Sequence, residues 1–518
     1  MNFLLRPPSL FVFLLIVLSA CKNTPKPDSM TETTYYTEAH RPQYHFSPPT
    51  HWMNDPNGLV YHKGVYHLFY QYYPEDIVWG PMHWGHATST DMKHWEHKPI
   101  ALFPDKNGYI FSGSAVVDHQ NTTGFGTEEN PAMVAIFTYH LMEGEKAGRT
   151  DYQTQGIAYS LDHGDSWTVY EGNPVIGNPG IKDFRDPKVF WNEQTQAWTM
   201  LLVAGDHLQI WGSDNLIDWE QQSEFGKNQG AHGGVWECPD LFPLSLDGAG
   251  AADAQKWVLL ISINPGAPNG GSGTQYFIGD FDGKTFTSDQ TEPLWIDGGT
   301  DNYAGVTYND TPDGSRLFIG WMSNWNYAQL TPTQAWRSAM TLPRTLHLET
   351  VAASPRLVSK PLPIHNPASA STSTYEVPVE DILSISNKDI NQSQIRFDWD
   401  GASVNLDFTN EEGQVLSLSL DKEKQTISLD RSQSGYVGFE ERFKNDQQMS
   451  WTPLEGKNEL NIYMDASSIE VFVNGGQSVL TAQFFPLKPY ENLTISQPGN
   501  SPLKLNSFEM TPIPSIWR

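Results

Sequence analysis

Between residues 40 and 343 the apolar positions come in short runs, at 65–72, 133–138, 198–203, 257–263 and 316–321, separated by Gly, Asn, Asp and Pro. Runs of that length bounded by turn-forming residues predict β-strands joined by turns, and no long amphipathic helical stretch competes with them. An α/β architecture is thereby disfavoured. A repeat runs through the same stretch: Ser89-Thr90-Asp91 leads to Trp95, Ser160-Leu161-Asp162 to Trp167, Ser213-Asp214 to Trp219, and Phe281-Asp282-Gly283 to Phe286. Each is an acidic turn feeding an aromatic position. The four aromatics are 72, 52 and 67 residues apart, which suits four-stranded propeller blades with insertions. The stretch from Tyr303 to Pro343 is long enough for a fifth blade. A second series, Asp55-Pro56, Asp186-Pro187 and Cys238-Pro239, each precedes an apolar pair (Leu59-Val60, Val189-Phe190, Leu241-Phe242). If these are innermost strands, their acidic neighbours point into one axial funnel.

Beyond Pro343 the pattern changes. Residues 361–374 are rich in Pro, Ser, Ala and Thr and predict a connection. Alternating runs return at 395–399, 404–408, 415–420, 426–429, 459–463 and 469–473, with a turn signal at Asn474-Gly475-Gly476. They predict a second all-β unit, most simply a sandwich. The expected organisation is a five-bladed propeller over 39–345, a linker over 346–374 and a β-sandwich over 375–518. At the other end, residues 10–18 read LFVFLLIVL behind Arg6, which fits a secretory signal and is too short to span a bilayer. Leu18-Ser19-Ala20-Cys21 resembles a bacterial lipobox; a plain cleavable signal with an incidental Cys is the alternative. The expectation is a lipoprotein-type signal over 1–20, lipidation at Cys21, and a Thr- and Pro-rich tether over 21–38. The protein is then exported and held at the cell envelope of a bacterium, touching membrane only through its anchor.

Composition narrows the functional classes. The 518 residues hold 32 Lys+Arg against 60 Asp+Glu, a formal net charge of −28, which argues against a nucleic-acid partner. Aromatics make up 12% of the chain and charged residues 18%, a balance suited to aromatic platforms on a folded, exported protein. Besides Cys21 there is one cysteine, Cys238, so no intrachain disulfide is available once Cys21 carries lipid, and a Cys-based zinc site is excluded by count. The pairs His83/His86 and His94/His97 have no third ligand in register, so no metal is expected there.

Three clusters carry the candidate chemistry: Trp52-Met53-Asn54-Asp55-Pro56-Asn57-Gly58, Arg185-Asp186-Pro187 and Glu237-Cys238-Pro239-Asp240. Each sets a carboxylate beside Pro or Gly, where a stiff backbone can aim it. Hydrolysis of a glycosidic bond with retention needs two carboxyl groups roughly 5–5.5 Å apart, one attacking and one donating a proton. Together with Phe69-Tyr70-Gln71-Tyr72, Trp79-Gly80-Pro81, His83-Trp84-Gly85-His86, Phe111-Ser112-Gly113-Ser114, Asp301-Asn302-Tyr303-Ala304, Gly320-Trp321-Met322-Ser323-Asn324-Trp325, Trp336-Arg337-Ser338-Ala339-Met340 and Ser468-Ile469-Glu470-Val471-Phe472-Val473-Asn474, these clusters closely resemble glycoside hydrolase family 32. The similarity runs from about His45 to the end, in family order.

That resemblance implies a five-bladed propeller followed by a β-sandwich, and no cofactor. It implies Asp55 as the nucleophile attacking C2 of a β-fructofuranosyl unit, Glu237 as the acid and then base, and Asp186 as an ionised carboxylate holding the sugar. It further implies Trp52, Asn54, Gln71, Trp79, Phe111, Ser112, Arg185 and Trp325 as contacts in the first sugar subsite. On physical grounds the Asp55 anion is expected to be favoured by Asn54 and the amides of the Pro-Asn-Gly turn, and Glu237 to be raised by neighbouring negative charge and an apolar flank. Arg185 is expected to pair within the cluster, and Cys238 reads as a buried small residue. Fructan (levan or inulin) or sucrose is the implied substrate, with exo attack expected because most relatives with this motif set act from chain ends. Alternatives are a sialidase, since residues 160–167 match an Asp-box, an arabinan-cleaving propeller enzyme, and a non-catalytic fructan-binding surface protein.

Overall fold

Strand-forming runs separated by short turns pair with their neighbours in sequence, and that rule builds most of the sheets before residue 361, whereas the C-terminal sheets also pair strands remote in sequence. The computed structural model describes residues 36–248, 255–364, 373–374, 382–400, 402–498 and 505–517, and these are all-β apart from short helical turns. The leader, Cys21 and the tether up to residue 35 lie outside the described residues. Residues expected at the end of the tether are packed on the body: Tyr36 stacks on Trp517 with ring centroids 3.9 Å apart, and Glu38 pairs with Arg41 at 2.6 Å.

From His51 to Pro361 the strands form five sheets of four or five strands, each built on four antiparallel strands that run up and down. Their leading strands are His51–His62, Tyr109–Val117, Phe184–Asn192, Val235–Ser245 and Tyr303–Thr307. These touch one another in cyclic order, the fifth returning to the first. The return is hydrogen-bonded: Asn309 N donates to Leu59 O at 2.9 Å, Tyr61 N donates to Asn309 O at 3.0 Å, and Trp336–Arg337 lies parallel to His51–Trp52. A strand covered on both faces reads as a near-continuous apolar run; Tyr303–Thr307 is buried throughout, whereas the outer strand Glu220–Phe225 buries only its last residue.

Every leading strand is broken by a β-bulge, where two of its residues face one on its neighbour, and the first is broken a second time between Asn57 and Val60. The bulged pairs are Asn54-Asp55 (between Met53 and Pro56), Phe111-Ser112, Asp186-Pro187, Cys238-Pro239 and Ala304-Gly305. An extra residue bends the strand and re-aims its side chains, and Pro or Gly within or beside these pairs fits where such residues are tolerated in sheets.

The acidic repeat falls on the turn after the third strand of four sheets. Ser89 and Ser160 each accept an amide N–H, from Met92 and Gly164 at 2.8 Å, and Asp91 and Asp162 accept the next ones, from His94 and Ser166 at 2.9 Å. In the third repeat the acceptor is Asn215, taking Asp218 N at 2.8 Å, instead of Asp214 as the pattern predicted. In the fourth, Asp282 accepts Lys284 N and Thr285 N.

Residues 346–361, expected in the linker, instead form the outer hairpin of the fifth sheet, Arg344–Val351 with Ser354–Pro361. Leu346, Leu348 and Leu357 bury against Phe242 and Tyr276 of the fourth sheet, which gives this hairpin the apolar face a linker lacks. The C-terminal half makes two six-stranded sheets enclosing one core that includes Phe397, Trp399, Leu418, Ile462 and Phe508. The halves meet across buried ion pairs. Arg344 contacts Asp297 at 3.1 Å and Glu470 at 2.6 Å; His45 lies 2.8 Å from Asp465 and 3.0 Å from Glu470; Arg431 contacts Asp301 at 2.8 Å.

Candidate active site

The bulges of the first four leading strands open into one cavity of about 300 Å3. Its wall includes Asn54 and Asp55, Phe111 and Ser112, Arg185 and Asp186, and Glu237, with Gln71, Trp79 and Trp325. The three carboxylates read from sequence, contributed by three different sheets, therefore share a single pit. Trp52 is the exception among the expected contacts. It is fully buried behind the wall, donating its indole N–H to Asn54 Oδ1 at 2.7 Å and stacking on Trp325 with centroids 5.8 Å apart. It lies upstream of the bulge that turns Asn54 and Asp55 outward, so it braces two lining residues without lining the cavity.

Asp55 has unequal oxygens. Oδ2 accepts the Ser112 hydroxyl at 2.7 Å and lies 3.7 Å from Cys238 Sγ, while Oδ1 has no hydrogen-bond donor. Burial raises the Asp55 pKa above the usual aspartate value, opposed first by the Ser112 hydrogen bond. The expected help from the following turn takes another form: Asn57 turns its side chain to Asp55 O and to Gly113 N. Asp186 accepts the Cys238 backbone N–H at 3.0 Å on Oδ2, while its own N–H is fixed on Thr138 Oγ1 at 3.0 Å. Both Asp186, at φ 62°, and Cys238, at φ 44°, hold left-handed backbone, a strained arrangement for non-glycine residues that occurs where packing enforces it.

Arg185 ties the acids together, donating to Asp183 Oδ1 and to Glu237 Oε1 at 2.7 Å each, with Nε 3.9 Å from Asp186. The other Glu237 oxygen receives the Tyr303 hydroxyl. Burial raises the Glu237 pKa most; Arg185 lowers it, and the Asp186 and Asp55 charges raise it further. Asp186 is raised too, by burial first and by Asp55, against Arg185. The direction expected for Glu237 holds, with burial ahead of neighbouring charge. Cys238 is buried and its thiol is pushed well above the usual range by burial and the three acids, so it serves as a weak donor between Asp55 and Asp186, 3.7 Å from each.

Five lining or supporting residues received no role from sequence: His140, Glu145, Asp183 and Gln329 on the cavity wall, and Tyr303 behind Glu237. The usable signal was local: Asp183 stands two residues before Arg185, and His140 ends an apolar run just ahead of an acidic insertion. The histidines considered for metal each hold separate partners: His83 the Pro81 carbonyl, His86 His67, His94 Asp91, and His97 Tyr36.

Known proteins resemble this chain along most of its length. The family model described as Glycosyl hydrolases family 32 N-terminal domain matches residues 45–361, and the model of the family's C-terminal part matches 364–512. The chain is 44% identical to a levanase of Bacillus subtilis, over 94% of this chain and 72% of that protein. It is 40% identical to an extracellular exo-inulinase of Aspergillus awamori, over 93% and 96%. A crystal structure of the Aspergillus awamori exo-inulinase superposes with TM-score 0.85, covering 93% of this chain and all of that one at 38% identity. A β-fructofuranosidase of Schwanniomyces occidentalis complexed with fructosyl-erythritol gives 0.83, over 93% and 99% at 32% identity.

Proposed function

The chain belongs to glycoside hydrolase family 32 and is a glycosidase, and from that premise we propose that it releases β-D-fructofuranosyl units from the ends of fructan chains, and from sucrose, with retention of configuration. The observation carrying the reading is the meeting of Asp55, Asp186 and Glu237 in one small cavity with Arg185 spanning Glu237 and Asp186. The relatives named levanase and exo-inulinase support fructan as substrate.

A carboxylate oxygen of Asp55 attacks C2 while Glu237 gives its proton to the departing oxygen, so the C2–O bond breaks as the ester to Asp55 forms. Glu237, now ionised, takes a proton from water, which attacks C2 and frees Asp55. Arg185 stays charged beside both remaining acids. Asp186 stays ionised and accepts hydrogen bonds from ring hydroxyls as positive charge develops on the sugar. Phe111, Trp79 and Trp325 supply apolar faces, and Asn54, Gln71 and Ser112 polar ones. A cavity of about 300 Å3 is at the small end of ligand pockets, which suits a chain end. The cyclic contact of the leading strands supports reading the five sheets as a five-bladed propeller. The apolar run 10–18 and the sequence before Cys21 support export with a lipid anchor.

Product profiling on levan, inulin and sucrose tests the reading. Fructose as the sole early product from the polymers is expected; early oligosaccharides contradict the exo assignment. Asp55→Asn is expected to lower kcat by several orders of magnitude without loss of fold, and activity surviving that change defeats the nucleophile assignment.

A further inference from the structure

The mouth of the cavity has two unlike sides. One carries Trp79 and Trp325, with Gln329 fixed by the Trp79 backbone N–H at 3.4 Å. The other is built from a segment absent from the family-like motifs: His140, the one-turn helix Met142–Lys146 and Asp183. The helix is anchored at its base, where Leu141 N donates to Tyr152 O at 2.9 Å and a Cβ on Gly144 would lie 3.1 Å from Tyr152.

The His140 ring is held on every side. Phe111 stacks flat on it at 4.2 Å and 7°, Tyr152 meets it edge-on at 5.3 Å, Gln153 Nε2 lies 3.1 Å from Nδ1, and Nε2 lies 3.1 Å from Glu145 Oε2. With the Gln153 amide donating to Nδ1, the imidazole proton sits on Nε2 and is given to Glu145. Burial and the Arg185 charge lower the His140 pKa to about 4, so the ring is neutral at working pH. The tyrosine bracing His140 also donates its hydroxyl to Asp183 at 3.4 Å, and Asp183 accepts Arg185 on the same oxygen. Two carboxylates are thus aimed at the mouth by a shared scaffold. Asp183 is neutralised by Arg185, whereas Glu145, 42% exposed at its side chain, keeps acceptor capacity toward an incoming ligand.

We propose that Glu145, positioned by His140, is a specificity residue for the leaving-group side: it accepts hydrogen bonds from hydroxyls of the sugar next to the bond being cut, while Trp79 and Trp325 cover that sugar's other face. The proposal rests on the assignment of the fructosyl unit to the pit below. It gives Phe111 a second task, since the ring facing the fructosyl unit also seats the histidine that aims Glu145.

Steady-state kinetics of Glu145→Ala, His140→Phe and the double variant on sucrose, a short inulin-type oligosaccharide and methyl β-D-fructofuranoside test this. Glu145→Ala is expected to raise KM about tenfold on the two sugar-leaving substrates with kcat nearly unchanged, the signature of lost uniform binding. KM for the methyl fructoside and the inhibition constant of free fructose are expected to stay put. His140→Phe keeps the stack on Phe111 but releases the carboxylate, so it is expected to reproduce the loss, and the double variant to add little. An unchanged KM on sucrose and oligosaccharide overturns the proposal, as does an equal rise on the methyl fructoside or weaker fructose inhibition. If wild-type protein hydrolyses none of the three, it is the fructosidase reading that fails.

Discussion

Glu237 receives donors on both oxygens, Arg185 on one and the Tyr303 hydroxyl on the other, and the two are not equivalent. A guanidinium only donates, whereas a tyrosine hydroxyl can also accept, so the protonated acid carries its proton on the oxygen facing Tyr303. Hydrogen bonds to the ionised form are the stronger ones, and Tyr303 therefore lowers a pKa that burial raises. Removing it in Tyr303→Phe is expected to raise the Glu237 pKa further. On the proposed mechanism the first step needs Glu237 protonated, so the alkaline limb of kcat/KM against pH is expected to move to higher pH while the acid limb, assigned there to Asp55, stays. A pH–rate profile checks this, and an alkaline limb that moves down or not at all contradicts it. At this scale the sequence was legible where a motif marks a position, as at Asp55, Asp186 and Glu237, which meet in one cavity. It was illegible where a role depends on an approach in space, as for Tyr303, which stands 66 residues from its partner. Trp52 shows the opposite limit: its neighbourhood was right, but a strand position just before a bulge points away from the cavity.

The five aligned bulges do for the elements what the motifs do for residues. A regular strand alternates its side chains between two faces, so adjacent residues such as Asn54 and Asp55, or Phe111 and Ser112, would not both reach the cavity. The bulge breaks the alternation and lets them do so. The Pro after Asp55, Asp186 and Cys238 was noticed in the sequence as a stiff backbone; its meaning as a bulge marker needed the register. Ala304 is fully buried at φ 53° with its N–H on Ser262 Oγ at 3.1 Å, and it directly follows Tyr303. Ala304→Gly accepts that backbone freely and is expected to keep both stability and activity. Ala304→Val places a β-branched residue in left-handed backbone, which is expected to cost about 2–3 kcal/mol and to lower kcat by displacing the Tyr303 hydroxyl. Thermal unfolding and kcat of the pair measure it; a valine variant as stable and active as the glycine one shows that the bulge bears no strain.

Across the whole molecule, histidines divide by sign. Burial lowers His62, His67 and His97 to about 4, and His40, His83, His86, His207 and His347 also fall. His45, clamped between Asp465 and Glu470 where the two halves meet, is raised to about 9. This junction was invisible in sequence because its partners stand 420 and 425 residues from His45, and the hairpin of residues 346–361 was assigned to a linker for want of its neighbours in the fourth sheet. Groups lowered on folding stabilise above the unfolded histidine value of roughly 6.5 and lose that contribution as pH falls toward 4. His45 does the reverse: its contribution is complete below roughly 6.5, amounts to on the order of 3 kcal/mol, and is lost as pH rises through 9. Folding stability is therefore expected to peak between these limits, falling on the acid side through the buried neutral histidines and on the alkaline side through the junction. His45→Gln keeps one hydrogen bond but no charge, so it is expected to lower stability at pH 6 and flatten the alkaline decline. His67→Gln, which can still bond His86, is expected to reduce the acid slope by about 1.4 kcal/mol per pH unit and leave the alkaline side as it was. Denaturant unfolding from pH 5 to 9.5 reads both slopes. An alkaline decline as steep in His45→Gln as in the parent would mean that the halves are not held together through that imidazolium.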